Sequence, residues 1–350
     1  AIRVGMQEGK VKIELSGVSE TLLGPLWARA KISRDHSSLF YDAKAVELVE
    51  KIDYDFSTFD LIPFEDYLPL LFVARAKQFD DKIKAYVKEH PHASVVNIGA
   101  GLDATFCRID NGLIHWYDLD LPAVIDIRRQ LLPEPDRTTC IAKSFLDPSW
   151  CEDIKHTEEG VFMIAGGLLR YFEEAQVKQF FSMLADNFPG GEIIFNASSR
   201  VDNHFGAWIE QLPPDQQKEL GAALMETLKG WWDTAPQDQK DKLMSMLKIP
   251  ARTHSTEWTD VETLWNQHSA KGMREEMRGF MKSSHWGMGL GKWALKDVNE
   301  ITRWDDRITV MDQSPLFKDI PRDPSWGIAI RQFIDFSDKN RTSNIFHLRV

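Results

Sequence analysis

The 350-residue chain is poor in cysteine: it has three, Cys107, Cys140 and Cys151, and no two of them form a CxxC pair. That scarcity excludes an even disulfide framework and a cysteine zinc site, fits a reducing compartment, and leaves small buried thiols as the ordinary reading. Long apolar runs are missing as well. None approaches the ~18 residues that a membrane-spanning helix needs, and the first residues hold no signal-like apolar stretch. The expectation is a cytoplasmic protein with no membrane partner. Nor is there a basic stripe. The formal charge is −11, and basic clusters such as Arg128 and Arg129 read as isolated pairs on a charged helix face, which argues against a nucleic-acid partner. His254, His268 and His285 lack metal-ligand spacing, so no metal site is expected.

What is present describes an ordinary globular chain, 43% apolar and 27% charged, longer than a minimal α/β domain requires. One domain carrying an elaboration is the first inference. Most of the twelve tryptophans fall after residue 200, which marks a second layer with its own task. The first ninety residues read as helical. Asp42 caps a segment with Val46, Val49 and Ile52 at helical spacing, and a longer helix runs from about 66 to 88. Arg75 falls at the edge of its apolar stripe, where a guanidinium requires a carboxylate partner or a ligand. From residue 94 the period changes. Strands are predicted at 94–99, 113–118, 138–142, 161–165 and 192–196, with helices at 122–132 and 173–188, and this alternation means a parallel sheet covered on both faces. Residues 205–291 read as a helical insertion. The sheet pattern then resumes, with strands at 307–311 and 344–349. The organisation predicted is a helical cover over 1–90, an α/β domain over 91–204 and 292–350, and the insertion over 205–291.

Gly99 and Gly101 stand between a strand and a helix in a GxGxxA pattern, where a tight turn must also let a ligand approach the backbone. Asp118 and Asp120 end the next strand, where an acid receives ribose hydroxyls. This spacing suits a nicotinamide dinucleotide or S-adenosylmethionine. Asp103 separates the two: a carboxylate there repels a pyrophosphate but tolerates a cationic sulfonium ligand.

Five stretches together carry a more specific resemblance: 18–23 (VSETLL), 74–80 (ARAKQFD), 96–104 (VNIGAGLDA), 116–122 (WYDLDLP) and 167–174 (GLLRYFEE). In this order they resemble the leucine carboxyl methyltransferase family, and more closely its bacterial branch of polyketide-type, tetracenomycin-type O-methyltransferases. The resemblance covers about 16 to 200 and returns at 293–311. It implies a class I methyltransferase fold, α/β with a doubly wound, mostly parallel sheet, N-terminal cover helices and a helical lid insertion. It further implies S-adenosylmethionine as cofactor. Arg75 is the implied holder of the cofactor's carboxylate, with an ion pair to Asp80 or Asp81 as the alternative. Asp120, with Asp118 and Leu121 beside it, matches the ribose-binding acid; Gly166 ends the fourth strand. Two departures stand out. Where family members often carry an acid for the adenine amino group, this chain has Ser144 and Phe145. Where the leucine-specific enzymes have a glutamate, it has Gly166, which places it nearer the small-molecule branch.

The expected activity is O-methyl transfer to a small-molecule carboxylate or phenol. A protein carboxyl methyltransferase and a cofactor-binding scaffold without turnover are the alternatives. Arg29, Tyr171, Arg200 and His204 are the candidate substrate residues, because ligands bind at the carboxyl ends of such strands. His204 is the candidate base for a phenol; a carboxylate acceptor needs none. Trp208, Trp231, Trp232, Trp258 and Trp265 in the insertion suggest a lid over a flat acceptor, or plain helix packing.

Overall fold

The computed structural model describes residues 4–7, 9–13, 19–59, 66–201, 212–246, 257–267 and 291–350. Its centre is a seven-stranded sheet. The strands are β3 (Ser94–Ile98), β4 (His115–Asp120), β5 (Thr138–Ala142), β6 (Val161–Ala165), β7 (Glu192–Ser198), β8 (Thr309–Pro315) and β9 (Ser343–Arg349), in the order β5-β4-β3-β6-β7-β9-β8. β3 to β7 run parallel, and β9 is antiparallel to both its neighbours. A dinucleotide sheet continues past its fifth strand with a sixth in sequence order. Here the last strand of the chain is inserted antiparallel between the fifth and the sixth, giving the class I methyltransferase form of the α/β sheet.

β3 and β6 are buried along their whole length, as parallel strands covered on both faces must be. Alternate residues feed two cores. Val96, Ile98, Met163, Phe195 and Phe346 face α7 (Glu174–Asn187) through Phe180, Phe181 and Leu184. Val95, Phe162, Ile164, Ile194 and Ile345 face Phe79 and Ile83 of α3 (Tyr67–Glu89) and Ile330 and Ile334 of α12 (Ile328–Lys339). A third cluster joins α1 (Ser19–Asp35) and α2 (Ala43–Lys51) to Leu102 and Ala104 of the glycine loop and to Val124 and Ile127 of α5 (Pro122–Leu131). The N-terminal helices therefore cover the carboxyl end of the sheet.

The N-terminal reading needs one correction. Ahead of the helices lies a hairpin, β1 (Val4–Gln7) and β2 (Lys10–Ile13), turned by Gly9 at φ +79°. Strands of four residues are shorter than the window on which helical periodicity is read, and the glycine is the signal that marks them. The amphipathic α12 was also not anticipated from sequence.

Within the insertion, α8 (Pro214–Thr234), α9 (Gln237–Met246) and α10 (Trp258–Gln267) form a small core of their own from Leu228, Trp232, Leu243, Met244 and Val261. Trp232 packs against Trp231 and Trp258, at ring-centroid distances of 6.3 and 6.1 Å. These three tryptophans serve helix packing and do not line the cleft described below. Trp208 lies outside the described residues, as do His204, His254, His268 and His285.

Candidate functional site

The strand order reverses between β3 and β6, and a crevice opens at the carboxyl ends of the strands on either side of that point. It is a cleft of about 340 Å³. Its floor is the glycine loop after β3, one wall is Asp120 and Leu121 at the end of β4, and the other is Gly166–Gly167 after β6. Arg75 of α3 and Arg29 and Pro25 of α1 close it from the cover side.

The loop's backbone is already engaged. Gly99 and Ala100 N–H donate to the Leu119 carbonyl (2.8 and 3.1 Å), and Gly101 N–H donates to Asp120 Oδ2 (2.9 Å). Gly99 and Gly101 take φ of +72° and +51°, so the turn demands glycine. Asp103 lies two residues ahead of α4 (Thr105–Ile109), not in its first turn. It accepts from the Thr105 hydroxyl (2.6 Å) and Asn97 Nδ2 (3.0 Å). Burial pushes its carboxyl up, but Arg29, Arg108, the Thr105 hydroxyl and Arg128 outweigh that and hold it below the ordinary value. A fixed anion, amides turned to β4 and Asp120, and a five-residue helix make a poor seat for a pyrophosphate, which requires free N–H groups on a strong helix dipole. They suit a ligand that brings cationic groups.

The two strand-end acids divide their roles. Asp118 is buried, paired with Arg128 (Nη2 to Oδ2, 2.9 Å), and also accepts from the Trp116 indole N–H (2.9 Å). Asp120 faces the cleft, and Leu121 N–H donates to its Oδ1 (2.8 Å). Burial raises the Asp120 pKa, against the lowering effect of those two backbone donors and Arg128. Asp118 is thus engaged within the protein, and Asp120 is the acid that lines the cleft.

Arg128 shows what the sequence reading missed. It was placed on a charged helix face, yet the residue is only 7% exposed. Its Nη1 donates to the carbonyls of Gly101 (3.0 Å) and Asp103 (2.7 Å). The signal was available: Arg128 is four residues after Val124 and one after Ile127, on the buried side of α5.

Arg75 reaches the cleft from α3. Its guanidinium lies in the cleft against Gly166 and Gly167, 5.4 Å from the Phe72 ring. A Cβ on Gly167 would sit 2.5 Å from Arg75 Nη1, and one on Gly166 3.3 Å from Nε. The glycine pair makes the room the arginine occupies. The alternative of an ion pair with Asp80 does not hold, because Asp80 takes a two-pronged bond from Arg108 (2.7 and 3.0 Å). Among the described residues no carboxylate lies within ion-pair distance of Arg75. Burial pushes its pKa down to about 10, with Arg29 adding to the effect, so it remains a cation at neutral pH. Arg29 itself is held by Asp42 (3.1 Å), which also accepts from Arg108 (2.8 Å) and caps α2 through Ala45 N–H.

The remaining candidates divide. Tyr171 lines the cleft, with the Arg170 guanidinium 5.4 Å from its ring centre. The Arg170 carbonyl accepts Lys292 N–H (2.6 Å), tying this wall to the point where the chain returns from the insertion. Ser144 and Phe145 do not line the cleft. The Ser144 hydroxyl accepts Leu146 N–H (3.2 Å), and the Phe145 ring packs edge-on against Phe172 and Phe180. Arg200 is half-buried and off the cleft wall.

A family model described as leucine carboxyl methyltransferase matches residues 23–185. Among curated proteins the chain is similar to the tetracenomycin polyketide synthesis O-methyltransferase TcmP of Streptomyces glaucescens, at 33% identity over 186 residues, 53% of this chain and 67% of that protein. It is also similar to the S-adenosyl-L-methionine-dependent methyltransferase dpfgK of Gibberella zeae, at 26% identity over 209 residues, 55% of this chain and 70% of that protein. Among solved structures, PKMT2 from Rickettsia typhi in complex with AdoHcy aligns over 78% of this chain and 53% of that one, at 12% identity and a TM-score of 0.39.

Proposed function

The chain belongs to the leucine carboxyl methyltransferase family, with S-adenosylmethionine as its methyl donor, and from that premise we propose that it is an O-methyltransferase for a small-molecule carboxylate or phenol of polyketide-like shape. The donor fits the charged groups of the cleft. Arg75 is a cation in want of a carboxylate, Asp120 an anion able to take ribose hydroxyls, and Asp103 a fixed anion suited to an ammonium group. Gly99, Gly101 and Gly166 allow close approach to the backbone. When bound, S-adenosylmethionine supplies a methyl group already activated by its sulfonium, leaving the protein to align the acceptor, exclude water and deal with any acceptor proton.

The observation that carries the oxygen acceptor is the charge of the cleft wall. Arg29, Arg75, Arg108 and Arg170 line it together with Asp80, Asp103 and Asp120; Arg29 and Arg108 are paired with Asp42 and Asp80, and Arg170 lies beside Tyr171. Beside Tyr171 and Arg170 the cleft offers Asn196 and Ser198, whose amide and hydroxyl groups can hold an oxygen acceptor by hydrogen bonds. An ionised carboxylate needs no base and is drawn to the arginines of the wall, whereas a phenol or an ammonium must first lose a proton. Gly166, where the leucine-specific enzymes carry glutamate, favours a small molecule over a protein carboxyl terminus, in keeping with the relative that acts in polyketide synthesis.

The test is transfer of labelled methyl from S-adenosylmethionine to a panel of aromatic acids, phenols and amines. Methyl esters or ethers are expected. Methylation confined to the amines refutes the oxygen acceptor, and donor binding with no product from any compound supports the scaffold instead.

A further inference from the structure

We propose that Arg128 is a positioning residue for the donor site, one that sets the path of the glycine loop from beneath without touching the ligand. The proposal rests on the donor reading above but concerns a residue that reading does not use. From α5 the guanidinium reaches three acceptors on two elements: the Gly101 and Asp103 carbonyls of the loop, and Asp118 of β4. Gly101 is thereby held from two sides, its N–H by Asp120 and its carbonyl by Arg128. The fork matters because the acceptors diverge. A planar guanidinium spans them from one position, whereas a lysine ammonium on a flexible stem cannot fix all three.

The counterion is built into the same unit. Asp118 is held by Trp116 Nε1 (2.9 Å) and Asn97 Nδ2 (3.4 Å), and Asn97 also donates to the Asp103 carboxylate (3.0 Å). The chain Trp116–Asp118–Arg128 thus runs from the sheet core to the loop's two carbonyls. Asp118, first read as a possible ribose ligand, serves as the anchor that orients Arg128. With Arg128 removed, two half-buried carbonyls lose a charged donor and the loop is free to turn its carbonyls elsewhere. The contacts Gly101 and Asp120 make with the donor then lose their fixed geometry.

The test uses the whole chain carrying Arg128→Met, Arg128→Lys or, as control, Arg129→Met, an exposed neighbour on the same helix. Titration with S-adenosylmethionine by calorimetry, well below each variant's melting temperature, is paired with amide hydrogen exchange of residues 99–103. The expected result is a Kd about tenfold or more higher for Arg128→Met, a smaller rise for Arg128→Lys, and no change for Arg129→Met. Exchange should accelerate in the loop while the amides of β3 and β6 stay protected. A folded Arg128→Met that binds as the native chain does overturns the proposal. So does faster exchange spread evenly over the sheet, which marks a merely structural role. Should Arg128→Met not fold, Arg128→Lys alone decides: native Kd and native loop exchange overturn the proposal. If the native chain itself fails to bind S-adenosylmethionine, the donor reading is wrong, and loop exchange still tests Arg128.

Discussion

Substituting Gly167 by alanine tests whether the glycine pair exists to make room for Arg75. The new Cβ would lie 2.5 Å from Arg75 Nη1, closer than any non-bonded carbon and nitrogen can remain. The guanidinium end is flexible, so it moves rather than the backbone, and its movement takes it out of the position a carboxylate ligand meets. A hydrogen bond to a charged group is worth about 1.5–3 kcal/mol, so S-adenosylmethionine should bind roughly 10- to 150-fold more weakly. Gly167 also sits at φ +64°, where an L side chain costs about 1–2 kcal/mol, so a small loss of stability accompanies the weaker binding. Gly166→Ala provides the comparison. Its Cβ would stand 3.3 Å from Arg75 Nε and 3.0 Å from Phe79 Cε2, without positive φ, so its effect on affinity should be the lesser. Calorimetric titration of both variants, with thermal melts alongside, measures the order. Unchanged affinity in a folded Gly167→Ala protein, or a larger loss in Gly166→Ala, refutes the reasoning.

Two further outcomes follow from the same geometry. Because burial raises the Asp120 pKa above the ordinary 3.8, this acid takes up a proton before typical surface carboxylates as pH falls. Donor affinity should therefore decline as the pH falls through that raised value, and the Asp120→Asn variant should bind weakly near pH 7 and lose this dependence; an identical pH profile in the variant contradicts the assignment. Asp42→Ala removes the acceptor shared by Arg29 and Arg108 together with the α2 cap, leaving buried charge uncompensated. It should cost about 3–5 kcal/mol in urea unfolding, and a loss below about 1 kcal/mol would show that the cluster is not holding the cover helices in place.

The central sheet was legible in the sequence because its inner strands are buried on both faces and its strands are bounded by glycine, proline and capping residues. The predicted strands 138–142 and 161–165 coincide with β5 and β6. What escaped was short or local. The N-terminal hairpin has four residues per strand, too few for a period to emerge. In the site, residue type alone could not divide Asp118 from Asp120, which share a strand end and differ only in which partners the fold brings to each. Arg128 escaped because a guanidinium reads as a surface group until the buried side of its helix is known. Ser144 and Phe145 were assigned from their place after the third parallel strand; the Ser144 hydroxyl accepts a bond in a local turn, and the Phe145 ring packs in the core. Arg75 was the opposite case: an arginine on an apolar stripe already required a partner, and no acid of the described fold supplies one.

The claim on which the rest depends is that this cleft holds S-adenosylmethionine by its carboxylate through Arg75. Calorimetric titration of S-adenosylmethionine into the native chain and into Arg75→Ala tests it directly, with NAD titrated into the native chain for comparison. Binding to the native chain, weakened about tenfold or more by the substitution, with no binding of NAD, is the result expected. Equal affinity in the two proteins, or tight binding of NAD with none of S-adenosylmethionine, would contradict it.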